Sequence, residues 1–166
     1  MRRRVSPFIS VIVSLVASFR FAGVSASAVG PIIDHSDGFA DHGDLAANGS
    51  TAFFDTTDRG TVARLTDSGW QRGSLFTSSR VDVRAFDTVF TFLLTPVSVW
   101  FADGITFTIQ GNDPSALGGD GGWLGYGGGV YAYNSDFQTN TPGIPNSVAV
   151  KFDLYPNGAT EDPLYY

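Results

Sequence analysis

Cysteine is absent from all 166 residues. That excludes disulfide staples and thiolate metal centres, so the fold must be held by its core and by any ion it binds. Lysine and glutamate are almost as scarce: Lys151 is the sole lysine and Glu161 the sole glutamate. Ten basic residues face 16 acidic ones, for a formal net charge of −6. No basic stripe is available to neutralise phosphates, which excludes nucleic acid as a partner. A sustained helical period is missing too, and no internal repeat stands out. What is abundant is glycine, at 20 residues, together with Thr, Val and Phe in alternating runs. This pattern predicts an all-β protein, an antiparallel β-sandwich.

The N-terminus carries an address. Arg2, Arg3 and Arg4 precede an apolar run from Pro7 to Ala17, which Arg20 closes, and Ala26-Ser27-Ala28 has the small-residue form of a cleavage site. The run is too short to span a bilayer. Residues 1–28 therefore read as a signal peptide, with a signal anchor as the alternative. Residues 29–166 read as one mature domain with no membrane span, placed outside the cell, at its surface or in a periplasm. Four of the ten basic residues lie in the leader, so the mature chain is more acidic than the whole.

Chemistry concentrates near the C-terminus. Val148, Val150 and Phe152 alternate with Ala149, Lys151 and Asp153 as a half-buried strand, which empties into a loop holding Asp153, Asn157 and Asp162. Pro156 and Gly158 bend that loop so that its oxygens can converge. Calcium takes about six to eight oxygens from carboxylates, amides, backbone carbonyls and water, and this loop offers all four kinds. The plain alternative is a solvated turn rich in Asp and Asn. Upstream, Ile105, Phe107 and Ile109 alternate with Thr106, Thr108 and Gln110, a second strand entered through Ala102-Asp103-Gly104. Between them lies GNDPSALGGDGGWLGYGGG, the densest glycine segment. It lacks Walker order and GxGxxG spacing, so phosphate binding is not indicated. Phe86, Thr88, Phe90, Phe92 and Leu94 share one face of a further strand, and Asp87, Val89, Thr91 and Leu93 the other; a strand apolar on both faces belongs inside a sandwich. His35 and His42 flank DHSDGFADHGD, whose spacing fits no zinc pattern and predicts a surface loop.

Three of these segments together resemble the legume-type (L-type) lectins. VAVKFDLYPNGATEDP is similar to their metal loop, WFADGITFTIQ to the strand that floors their sugar site, and GGWLG to the glycine turn beside it. LAANGSTAFF, TVARLTDSG and GSLFTSSRVDVRAFDTVFTFLL resemble the opening strands more diffusely. The resemblance spans about Asp37 to Tyr166 and is nearer to bacterial secreted members than to seed lectins. It implies a concanavalin A-like jelly-roll sandwich and a calcium ion held by Asp153, Asn157, Asp162 and the backbone carbonyl of Tyr155. It also implies a sugar site in which Asp103, following a cis peptide, accepts hydroxyl hydrogen bonds beside Gly121, Gly122 and Asn157. Trp123, Tyr126 and Tyr155 are the candidate stacking rings. The family's glutamate for a second, transition-metal ion is Lys151 here, and a charged ammonium offers no lone pair to a metal. One calcium and no second metal is the expectation, with the Lys151 charge near Asp153 and Asp162 partly standing in for the missing ion.

Removing 28 residues from 166 leaves 138, against about 200 to 250 for sandwiches of this kind, so the domain is expected to be incomplete at its C-terminus. Uncovered apolar faces would then invite association, and the oligomeric state is left open. The expected function is non-catalytic, calcium-dependent binding of glycans or glycoconjugates. A structural or adhesion module that has lost the sugar site is the alternative. A glycoside hydrolase is the least favoured, because such enzymes place two carboxyl groups about the scissile bond. Glu161 has no glutamate partner, and no pair of aspartates marks a cleft.

Overall fold

The computed structural model describes residues 9–17, 33–84, 86–96, 102–134 and 137–155. Their strands in chain order are β1 (Ile9–Ala17), β2 (Ile33–Asp34), β3 (Leu45–Gly49), β4 (Ala52–Thr56), β5 (Gly60–Thr66), β6 (Gly73–Thr77), β7 (Val89–Pro96), β8 (Gly104–Gln110), β9 (Gly129–Asn134), β10 (Phe137–Thr141) and β11 (Ser147–Asp153). The one helical element among these residues is a single 3-10 turn at Gly121–Trp123. The protein is thus mostly strand, in small antiparallel sheets. No described helix is long and apolar enough to cross a membrane.

The largest sheet is built on β1. Along one edge β1 pairs with β7 from Ile9↔Pro96 to Val16↔Val89. Along the other it pairs first with β5, through Val11↔Thr66, Ile12↔Arg64 and Val13↔Ala63, and then with β2. β4 closes onto β5 as a hairpin. The apolar run read as the core of a leader is therefore the middle of this sheet, while its arginines and the Ala26-Ser27-Ala28 motif lie outside the described residues. β3–β6, β8–β11 and β9–β10 are separate two-stranded sheets.

The core forms where the sheet of β5 and β7 meets β8 and β11. Ile105 is buried there against Leu65, Phe92, Leu94 and Phe152. Four phenylalanines interlock, with Phe90 stacked on Phe107 at 5.3 Å and Phe92 tilted on Phe152 at 5.3 Å. Rings in such offset and tilted contacts contribute about 0.5–1.5 kcal/mol per pair beyond their buried area. Alternation explains the contact: Phe90, Phe92 and Leu94 are half-buried, while Val89 and Leu93 on the opposite face are exposed.

Two expectations change. β7 starts at Val89 rather than Phe86, and among the described residues it pairs only with β1, so it is an edge strand and not an interior one. The segment around His35 and His42 is exposed at most of its residues, as a surface loop is, but it turns His35 and Phe39 inward. Phe39 is fully buried, His35 stacks on it at 5.2 Å, and His42 stacks on Phe53 at 3.8 Å. His35 Nε2 lies 3.1 Å from Asp44 Oδ1 but is not aligned as a hydrogen bond. Gly38, at φ +100°, lets the chain turn against the Thr61 carbonyl, which a Cβ would meet at 2.9 Å. An apolar Phe between two histidines, with a glycine before it, was the available signal for an inward-folded turn.

Candidate functional site

The site is built at the end of the β8–β11 pair. The register runs from Ser147↔Gln110 to Asp153↔Gly104, so the acidic end of β11 lies beside the start of β8. The Leu154 N–H donates to the Asp103 carbonyl at 2.8 Å, continuing the ladder one step beyond. Gly104 makes this approach possible. It sits at φ +148°, and a Cβ there would stand 2.2 Å from the Phe152 carbonyl oxygen. The Ala102–Asp103 peptide that leads into it is cis, as the resemblance implies. Ala102 is buried and Asp103 half-buried.

The glycine-dense segment folds into a closed knot facing Asp103. Gly118 N–H donates to the Gly125 carbonyl at 2.7 Å, Gly125 N–H to Gly119 at 2.8 Å, and Gly119 N–H to Gly127 at 2.8 Å. At the 3-10 turn Gly121 adopts φ +61°, and its missing Cβ would be 3.8 Å from Asp103 Oδ2. Gly122 is buried within the turn. Three other glycines of this knot serve Trp123. Added Cβ atoms at Gly119, Gly127 and Gly129 would stand 2.8, 2.7 and 2.8 Å from its indole. The glycines are a mould for a tryptophan rather than a phosphate cradle, and Trp123 is a packing residue more than a free stacking surface.

Asp153 is held from two sides. Its Oδ2 accepts from Lys151 Nζ at 2.9 Å, and its Oδ1 from the Tyr155 N–H at 3.1 Å. The two charged side chains are 28% and 15% exposed. Lys151 thus stands beside Asp153, as expected of a lysine that replaces the family's glutamate; its relation to Asp162 falls outside the described residues. So do Asn157 and Asp162 themselves. Tyr155 is exposed at the mouth of this end. Among the described residues no three of His, Asp and Glu gather as a metal centre; of the expected ligands Asp153 and Tyr155 are described, and Asn157 and Asp162 are not. Asp153 by itself suits calcium in kind, since it offers hard oxygen and each carboxylate oxygen keeps a lone pair beyond the bond it already accepts.

Thr106, Trp123, Leu124, Tyr126, Ala149 and Lys151 line a shallow recess on the polar face of β8–β11. The Tyr126 hydroxyl donates to Ser147 Oγ at 3.1 Å, Ser147 itself donating to the Ile144 carbonyl, which ties β11 to the glycine knot. Three supports were missed from the sequence. Asn48 Nδ2 donates to the Pro114 carbonyl at 2.8 Å, Ser74 Oγ to Ala116 at 2.7 Å, and Arg72 Nη1 to Gly118 at 3.2 Å. These side chains of β3, β6 and the approach to β6 hold the loop leading into the knot. Nothing local marks them, because their partners are backbone carbonyls some 40 to 66 residues away.

No family model matches this chain, and no curated protein or solved structure matches it either. The functional reading therefore rests on the chemistry of the site.

Proposed function

We propose that the protein is a secreted, calcium-dependent carbohydrate-binding domain without catalytic activity, with a jelly-roll sandwich like that of the legume-type lectins. The observation that carries this reading is convergence. Asp103, Gly121 and Asp153 come from three separate motifs of the sequence and meet at one end of the β8–β11 pair. A half-buried carboxylate beside a turn without Cβ atoms suits a polyhydroxylated ligand, since carboxylate oxygens accept bonds from two hydroxyls and bare backbone permits close approach. Calcium would be held by Asp153, Asn157, Asp162 and the Tyr155 carbonyl, and its chemistry would be to fix that loop beside Asp103. Tyr155, exposed next to Asp153, is the ring best placed to stack on a sugar.

The second reading, a structural or adhesion module without a sugar site, is favoured by one observation. Lys151 already neutralises part of the Asp153 charge, which weakens the draw on a cation. Glycan-array binding of the exported protein with and without a chelator separates the two. The lectin reading expects calcium-dependent binding that Asp103→Asn abolishes. It further expects Asp153→Asn to be partly rescued by raised calcium. Binding of no glycan at saturating calcium, or undiminished binding by Asp103→Asn, leaves the structural module as the better account.

A further inference from the structure

The strand that completes the main sheet is the one segment the chain is read as losing. β1 is drawn from residues 9–17, the core of the apolar run assigned to the leader. Its removal would open the sheet along two lines. On one side β7 would lose its whole ladder from Val89 to Pro96, and it has no other strand partner among the described residues. On the other side Thr66, Arg64 and Ala63 of β5 would lose theirs, and β2 would be released. Unpaired rows of N–H and C=O groups flanking an apolar layer form a template for another strand.

The geometry points to a strand-acceptor site. We infer that the gap between β5 and β7 is occupied in the uncut chain by residues 9–17 and, once these are removed, by an extended segment of another polypeptide in the same register. The register specifies the occupant. It runs antiparallel to both β7 and β5, and residues 11–13 are paired on both sides, Val13 with Phe92 and Ala63. Val11, Val13 and Leu15 stand opposite Leu94, Phe92 and Phe90, the half-buried residues of β7, while Ser10 and Ser14 stand opposite the exposed Thr95 and Thr91. The partner is thus a strand of about eight or nine residues, bulky and apolar at every second position and tolerant of small polar residues between. This inference rests on the leader reading for its second half and is independent of the sugar site.

The absence of native cysteine makes the first half directly testable. In the uncut chain, made without export, Ser14→Cys with Thr91→Cys should cross-link within one molecule on mild oxidation. Ser14→Cys with Thr95→Cys, four residues out of register, should not. Free thiols in the first pair, or equal cross-linking in both, overturn the docking. For the second half, the exported, processed protein is mixed with the peptide ISVIVSLVA carrying a lysine tail for solubility. Saturable binding with a raised melting temperature is expected, or a gain of sheet circular dichroism if the processed chain is unstructured alone. A Val13→Pro peptide should bind at least about tenfold more weakly, because proline removes the N–H at the doubly paired position. A processed chain indifferent to the peptide, equal binding of the proline version, or a mass showing residues 1–28 retained after export overturns the acceptor.

Discussion

Lys151 reaches forward along β11 to Asp153, its ammonium 2.9 Å from the carboxylate of the residue two positions on. Both side chains are less than a third exposed, so the attraction is only partly screened by water. Any cation bound through Asp153 must share that oxygen's charge with a fixed ammonium. The lysine makes the site cheaper to leave empty and harder to fill.

Removing that charge should tighten calcium binding. Lys151→Ala is expected to increase affinity by about 1–2 kcal/mol, roughly 5- to 30-fold. Calorimetric titration with calcium reads this directly, and an unchanged or weaker affinity would separate Lys151 from the metal loop. Elemental analysis of the parent should find one calcium and no stoichiometric manganese or zinc.

Calcium should also hold the fold. If it binds only the folded state, a concentration 100 times its dissociation constant adds about 2.7 kcal/mol. Thermal melts with calcium and with chelator should therefore separate clearly. Identical melting temperatures would mean that no such site forms.

Gly104 should not tolerate a side chain. Gly104→Ala combines a backbone conformation at φ +148° with a Cβ 2.2 Å from the Phe152 carbonyl oxygen. Strain and overpacking each cost about 1–3 kcal/mol, so urea unfolding should show a loss of roughly 2–6 kcal/mol. Because Asp153 pairs with Gly104, calcium affinity should fall along with stability. Parent-like unfolding would place the β8–β11 contact elsewhere.

Gly127 and Trp123 should behave as one unit. A Cβ at Gly127 would lie 2.7 Å from the indole, so Gly127→Ala should cost about 1–3 kcal/mol. In the background of Trp123→Leu that cost should largely vanish, giving a coupling of about 0.5–3 kcal/mol in a double-mutant cycle. Additive effects would show that the glycines are there for another reason.

Asp82 gives a pH marker remote from the site. The Arg84 side chain, through bonds to both carboxylate oxygens, lowers its pKa from 3.8 to about 2, and the Arg84 N–H adds to this. With the folded value depressed, the interaction is complete above about pH 4 and is lost as pH falls through about 2. Arg84→Ala should return the Asp82 midpoint toward 3.8 in a carboxylate NMR titration. The same two-residue contact can form in an unfolded chain, so the effect belongs to the titration far more than to stability.

The residues themselves determined the all-strand character, since alternation over 105–110 and 147–153 needs only local geometry. Their oxygen donors marked Asp153, while Asp103 and Gly121 were singled out only by the resemblance to the legume-type lectins. Which apolar residues are covered was a different matter. Val148 and Val150 alternate as faithfully as Phe152, yet they are 62% and 57% exposed while Phe152 packs against Phe90 and Phe92. Alternation states that one face is apolar; only the position of a second sheet decides how far along it is buried. The glycine segment was equally ambiguous until Trp123 was seen to occupy it. Placement of residues 9–17 within the sheet was decided by tertiary structure alone, because a short apolar run suits a leader and a central strand alike and names no partner, whereas the folded chain lays it between β5 and β7.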